Sequence, residues 1–83
     1  MSQALLIVDH GSRREEANQM LEEVARTVRR LCPDVIVHIA HMELAEPSIR
    51  QGIETCIQDG ATNIAVHPYM LLPGRHATQD IPQ

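Results

Sequence analysis

Phenylalanine and tryptophan are absent from this 83-residue sequence, and Tyr69 is its single aromatic residue. The core must therefore be aliphatic, and the ring platforms on which single-stranded nucleic acids stack are missing. Basic residues are scarce: seven against eleven acidic ones give a formal charge of −4, with no basic stripe to follow phosphates. No stretch approaches the roughly 20 apolar residues of a membrane span. Met1–Val8 is apolar but lacks the basic leader and small-residue cleavage site of a signal peptide. The expectation is a cytoplasmic protein with neither nucleic acid nor membrane as partner. Cys32 and Cys56 have no Cys-x-x-Cys partner, so neither a zinc knuckle nor a redox pair is suggested. Both are expected to be reduced, half-buried core thiols. A chain this short buries only about 60–65% of its unfolded surface, so one domain over residues 1–83 is the ceiling.

What is present has a clear order. Ala4–Val8 is a continuous apolar run, the pattern of a parallel strand covered on both faces. Gly11 breaks it, and Ser12 with Glu15 has the spacing of a capping box. The helix that follows places Ala17, Met20, Leu21, Val24, Ala25, Val28 and Leu31 on one apolar stripe. Glutamates crowd its first half and Arg26, Arg29 and Arg30 its second, the order that suits the helix dipole. Pro33 stops it.

Val35–Ala40 is β-branched and reads as a second strand, with His38 a satisfied or edge-facing histidine inside it. Pro47 fits the first position of a second helix. Its apolar set is Ile49, Ile53, Cys56 and Ile57, and Gly60 is its C-terminal cap. Gly52 in its middle costs about 1 kcal/mol relative to alanine, or lets the helix approach the sheet closely. Asn63–His67 is the third strand, ended by Pro68. Strands separated by single helices pair in parallel through right-handed crossovers. The expected fold is therefore α/β, a parallel sheet of βαβαβ order.

All strands of such a sheet point their carboxyl ends at one edge, and ligands bind there. The first strand ends at Asp9-His10-Gly11-Ser12-Arg13, the second at His41-Met42-Glu43, and the third runs into Pro73-Gly74-Arg75-His76. His10, Glu43 and His76 are thus expected to converge, and two histidines with a carboxylate suit a divalent metal with open positions. Each also has a plain reading: an edge-capping His10, a solvated Glu43, an exposed His76. Asp9 is either a group orienting His10 or a structural aspartate, and His41 and His67 read as structural. A single Gly11 is not a dinucleotide fingerprint, and Gly-Lys-Ser/Thr and Gly-x-Ser-x-Gly are both absent.

Three motifs together resemble the small sirohydrochlorin chelatases of the CbiX type. They are Leu6-Ile7-Val8-Asp9-His10-Gly11-Ser12-Arg13, Glu43-Leu44-Ala45-Glu46-Pro47-Ser48-Ile49, and Pro68-Tyr69-Met70-Leu71-Leu72-Pro73-Gly74-Arg75-His76 continuing to Asp80-Ile81-Pro82. The resemblance implies a chelatase-like fold and an ATP-independent class II lyase. Such an enzyme inserts cobalt, iron or nickel into sirohydrochlorin for cobalamin- or sirohaem-type biosynthesis. The family's two active-site histidines fall on His10 and His76, and Glu43 is the choice for the assisting carboxylate, with Glu46 as alternative. Insertion displaces two pyrrole protons for one dication, and a neutral imidazole serves as ligand or base. Arg13 and Arg75 would clamp the substrate's carboxylates through forked hydrogen bonds, or else pair locally with Asp9 or Asp80. Family members continue past Asp80-Ile81-Pro82 with another helix and strand, so C-terminal elements are expected to be missing here. Pairing as a homodimer is also implied.

Overall fold

A computed structural model of the protein describes residues 2–69. Strand β1 (Gln3–Asp9) is followed by helix α1 (Glu15–Leu31), strand β2 (Ile36–His41), helix α2 (Ile49–Gln58) and strand β3 (Asn63–Pro68). The three strands form one parallel sheet of order β2-β1-β3. The βαβαβ reading of the sequence is borne out, with strand boundaries shifted by a residue or so.

Alternation along β1 splits the core into two layers. Ala4, Leu6 and Val8 face α2 and join Ala40 and Cys56, with Ile49, Ile53 and Ile64 packed around them. Ile7 faces α1 and joins Leu21, Ala25, Val37 and Ile39, with Leu5, Val24, Val28 and Tyr69 against them. Both helices lie across β1 and β2. β3 stays largely exposed, Val66 to 51%.

α1 uses a narrower stripe than its spacing suggested. Leu21 and Ala25 are buried, whereas Met20 and Leu31 are 67% and 75% exposed. Leu31 is the last residue of the helix, and Met20 lies about 100° around the helix from Leu21. In α2, Ile49, Ile53 and Cys56 face the sheet, but Ile57 is on the outer side. Near the end of α1, Arg29 Nε and Nη2 both donate to the Val37 carbonyl, at 3.0 and 2.8 Å, satisfying an acceptor on the outer edge of β2. His38, also on β2, meets Asp59 through Nε2 at 2.6 Å, which bears out its reading as satisfied.

Two helix starts differ from expectation. The Ser12–Glu15 capping box does not form; Arg14 is the N-cap and offers no side-chain bond. Ser12 Oγ instead accepts from the Arg14 N–H, and the Asn18 amide binds both the N–H and the carbonyl of Ser12. An amide places a donor and an acceptor on separate atoms, so it meets the Ser12 N–H and carbonyl at the same time. Pro47 is not the first residue of α2. The helix starts at Ile49 behind Ser48, which exchanges hydrogen bonds with Gln51 in a reciprocal capping box. At its far end Gly60, at φ +100°, closes a Schellman turn: Gly60 N–H donates to Ile57 and Ala61 N–H to Cys56.

Gly52 faces the sheet at very short range. A Cβ there would lie 2.7 Å from Leu6 Cδ1, 3.1 Å from Ala40 Cβ and 3.3 Å from the Ile39 carbonyl oxygen. Alanine would gain about 1 kcal/mol of helix propensity, against about 1–3 kcal/mol of overpacking. Gly52→Ala is therefore expected to destabilise the protein by about 1 kcal/mol, read as a lowered urea midpoint with unchanged slope.

The two cysteines part company. Cys56 is buried, as expected, but Cys32 caps the end of α1 and is exposed. Burial, with a smaller contribution from nearby Asp59, pushes the Cys56 thiol above its ordinary range. The folded protein thus holds this proton where the unfolded chain releases it. Stability is expected to fall as pH rises above about 8.5, and Cys56→Ala should flatten that decline. Iodoacetamide at pH 8 is expected to label Cys32 and to reach Cys56 only on unfolding.

Candidate active site

Along β1 the buried apolar run stops at Val8, and polar residues begin at the carboxyl edge with Asp9. Main-chain bonds continue the strand pairing beyond that point. Tyr69 N–H donates to Val8 O at 2.6 Å, Met42 N–H to Asp9 O at 2.9 Å, and Glu43 N–H to His10 O at 3.1 Å. The loops after β1 and β2 are thereby laced together, and His10 and Glu43 become direct neighbours with exposed side chains.

Two backbone features allow this approach. Gly11 has φ +89°, and a Cβ on it would lie 1.8 Å from the Glu43 carbonyl oxygen. Leu44 holds φ +71°, a left-handed conformation that costs a residue with a side chain about 1–2 kcal/mol. That turn sends the chain back toward β2, where His41 N–H donates to Pro47 O at 2.8 Å and His41 bridges Ser48. Strain of this kind persists where surrounding contacts over-determine the backbone.

His41 is buried to 1% exposure at the end of β2, and its Nδ1 donates to Asp9 Oδ1 at 2.6 Å. The same oxygen accepts the Gly11 N–H at 3.0 Å. The Asp9 carboxylate is thus bonded to His41 and Gly11, and makes no hydrogen bond to His10 or ion pair with Arg13. His41 is structural, as read from sequence; His67 is exposed on β3.

The sequence brought together His10, Glu43 and His76. The first two are adjacent here, while His76 and Arg75 lie outside the described residues. Arg13 is exposed on the loop after β1. Glu46, the alternative carboxylate, lines an open groove with Pro47, Gln51, Glu54, Thr55 and Gln58 along α2. Among the described residues, no three His, Cys, Asp or Glu side chains are grouped to hold a metal ion. The tie between Asp9 and His41 was missed in the sequence, although strand parity carried a signal. Asp9 continues the Leu5–Ile7 face and His41 the Val37–Ile39 face, at paired register positions.

Two helices over a parallel sheet of order β2-β1-β3 define an α/β domain whose polar residues collect at the carboxyl edge. The CbiX family model matches residues 4–83, and the chain belongs to that family. It is 51% identical over 78 residues to the chloroplastic sirohydrochlorin ferrochelatase of Arabidopsis thaliana, covering 94% of this chain and 35% of that protein. It is 40% identical over 81 residues to the sirohydrochlorin cobaltochelatase of Methanocaldococcus jannaschii, covering 98% of this chain and 57% of the relative. The crystal structure of the sirohydrochlorin chelatase SirB from Bacillus subtilis subspecies spizizenii, in complex with cobalt, superposes with a TM-score of 0.76. Identity there is 41%, over 99% of this chain and 35% of that one. The chain thus spans about a third of the plant and Bacillus relatives and about half of the archaeal one. The family and fold expected from the three motifs are borne out.

Gly11→Ala should disturb the site through two additive effects. The positive φ costs about 1–2 kcal/mol, and the clash with Glu43 a further 1–3 kcal/mol or so. A loss of about 2–5 kcal/mol in urea unfolding is expected. Gly60→Ala, at φ +100° with nothing within 4 Å of a Cβ, is expected to lose only the conformational part.

Proposed function

We propose that this protein inserts a divalent metal ion, cobalt or iron or nickel, into sirohydrochlorin without a nucleotide. The observation that carries the reading is the hydrogen bond from Glu43 N–H to His10 O. It makes His10 and Glu43 main-chain neighbours at the edge of a CbiX-family domain, and both residues are exposed. Support comes also from relatives named as sirohydrochlorin ferrochelatases and cobaltochelatases, and from related structures holding cobalt and Fe3+.

In this reading His10 and His76 present neutral imidazole nitrogens to the incoming dication or to a pyrrole proton. Glu43 offsets the metal's charge, its exposed position leaving room for a flat macrocycle to approach. Two N–H protons leave the substrate as one dication enters, so charge balances across the exchange. Imidazole and carboxylate together bind cobalt, nickel and iron without strong discrimination. Arg13 and Arg75 take the substrate's carboxylates. A homodimer is part of the same proposal, with the exposed faces of β3 as the surface in favour of it.

The test is the absorbance change of excess sirohydrochlorin with Co²⁺, followed for the wild type and for His10→Ala, His76→Ala and Glu43→Gln. Light scattering on the same preparation reports its mass. Multiple turnover above the spontaneous rate is expected, reduced by about 100-fold or more in the histidine variants. Stoichiometric binding that stops without turnover would make the protein a metal or tetrapyrrole carrier instead.

A further inference from the structure

We propose that His41, acting through Asp9, is a positioning residue that fixes His10 against Glu43 for metal delivery. This rests on the chelatase reading above. Asp9 immediately precedes His10, and His41 stands two residues before Glu43. The single oxygen Asp9 Oδ1 receives His41 Nδ1–H at 2.6 Å from the end of β2 and Gly11 N–H at 3.0 Å from the loop after β1. One carboxylate oxygen therefore joins both loops from beneath, at a histidine only 1% exposed.

His41 is held on its other sides as well. Its N–H donates to Pro47 O at 2.8 Å, and it bridges Ser48, so the returning arm of the β2–α2 loop is anchored to the same residue. Gly11 lies so close that a Cβ on it would stand 3.1 Å from His41 Cβ. A short hydrogen bond to a carboxylate is among the stronger kinds, and here burial shields it from water. His10 and Glu43, by contrast, are exposed and are joined at the rim by main-chain bonds alone. Without the pair beneath, those rim bonds exchange with water and the two side chains lose their mutual register. Displacement of a reacting group by about 1 Å costs on the order of 100-fold in rate. With its side chain only 1% exposed, His41 is assigned no ligand role.

The experiment compares His41→Leu, His41→Asn, Asp9→Ala and the double variant His41→Leu/Asp9→Ala in the full chain, with Gly52→Ala as a control. Readouts are Co²⁺ affinity from its visible absorption, sirohydrochlorin turnover, and hydrogen exchange at the Glu43 amide. His41→Leu and Asp9→Ala are each expected to weaken Co²⁺ binding and turnover by about 10-fold or more and to speed Glu43 exchange. The double variant should lose no more than Asp9→Ala alone, since His41 acts only through that carboxylate. His41→Asn, whose side-chain nitrogen replaces imidazole Nδ1, should recover to within about threefold. Gly52→Ala should leave affinity and turnover near wild type despite its lower stability. Asp9→Ala leaves the buried face of β1 intact, so the test stands even if His41→Leu does not fold. Wild-type affinity and turnover in Asp9→Ala, or equal losses in His41→Asn, His41→Leu and the control, would overturn the inference alone. A wild-type protein with neither Co²⁺ affinity nor turnover would overturn the chelatase reading and this role with it.

Discussion

Burial of β1 on both faces, with β2 and β3 hydrogen-bonded along its two edges, leaves that strand no side open to water. A strand so placed cannot carry polar side chains without stranding them. Its sequence is accordingly apolar from Ala4 to Val8 and turns polar at Asp9, where the helices no longer cover it. The position of the chemistry follows from this. Polar groups collect at the carboxyl edge because it is the nearest place along β1 that tolerates them. The parallel arrangement brings the ends of β2 and β3 to the same place.

The edge is then held by more than its strands. Main-chain bonds run past the ends of β1 and β2, and Gly11 removes the one atom that would hold the loops apart. Leu44 accepts an unfavourable backbone conformation so that the chain returns to His41. Beneath these contacts lies the paired Asp9 and His41. An aliphatic core with a single aromatic ring has little bulk with which to brace loops. Short polar ties take over that function where the apolar layers end.

Much of the fold was legible in the sequence because its elements use distinct periodicities. The apolar run of β1, the β-branched run of β2 and the 3,4 spacing of α1 each select one conformation. Gly60 was read correctly because a left-handed cap has few other solutions, and of the two readings open for Gly52 the structure takes close approach to the sheet. The finer placements were not legible for stated reasons. Ser12 and Glu15 match a capping box by spacing, but the competitor, Asn18, reaches back six residues to Ser12, a longer span than the box pattern tests. Met20, Leu31 and Ile57 fit an apolar stripe by spacing, yet Met20 and Ile57 lie around the helix from the buried residues and Leu31 lies at a helix end. His10 and Glu43 were legible as neighbours from topology. The tie between Asp9 and His41 was not, because it requires the register between strands as well as their order.

The twin hydrogen bonds from Arg29 to Val37 give the sheet a direction of extension. On the β2 flank a guanidinium occupies an acceptor that a neighbouring strand would need, and a charge there repels the approach of another sheet. On the β3 flank no such plug stands among the described residues. Among the described residues, a strand joining beside β2 would have to displace this guanidinium, whereas one joining beside β3 would meet none. Such an addition leaves β1 and its edge undisturbed, so the sheet can widen without moving His10 and Glu43 apart.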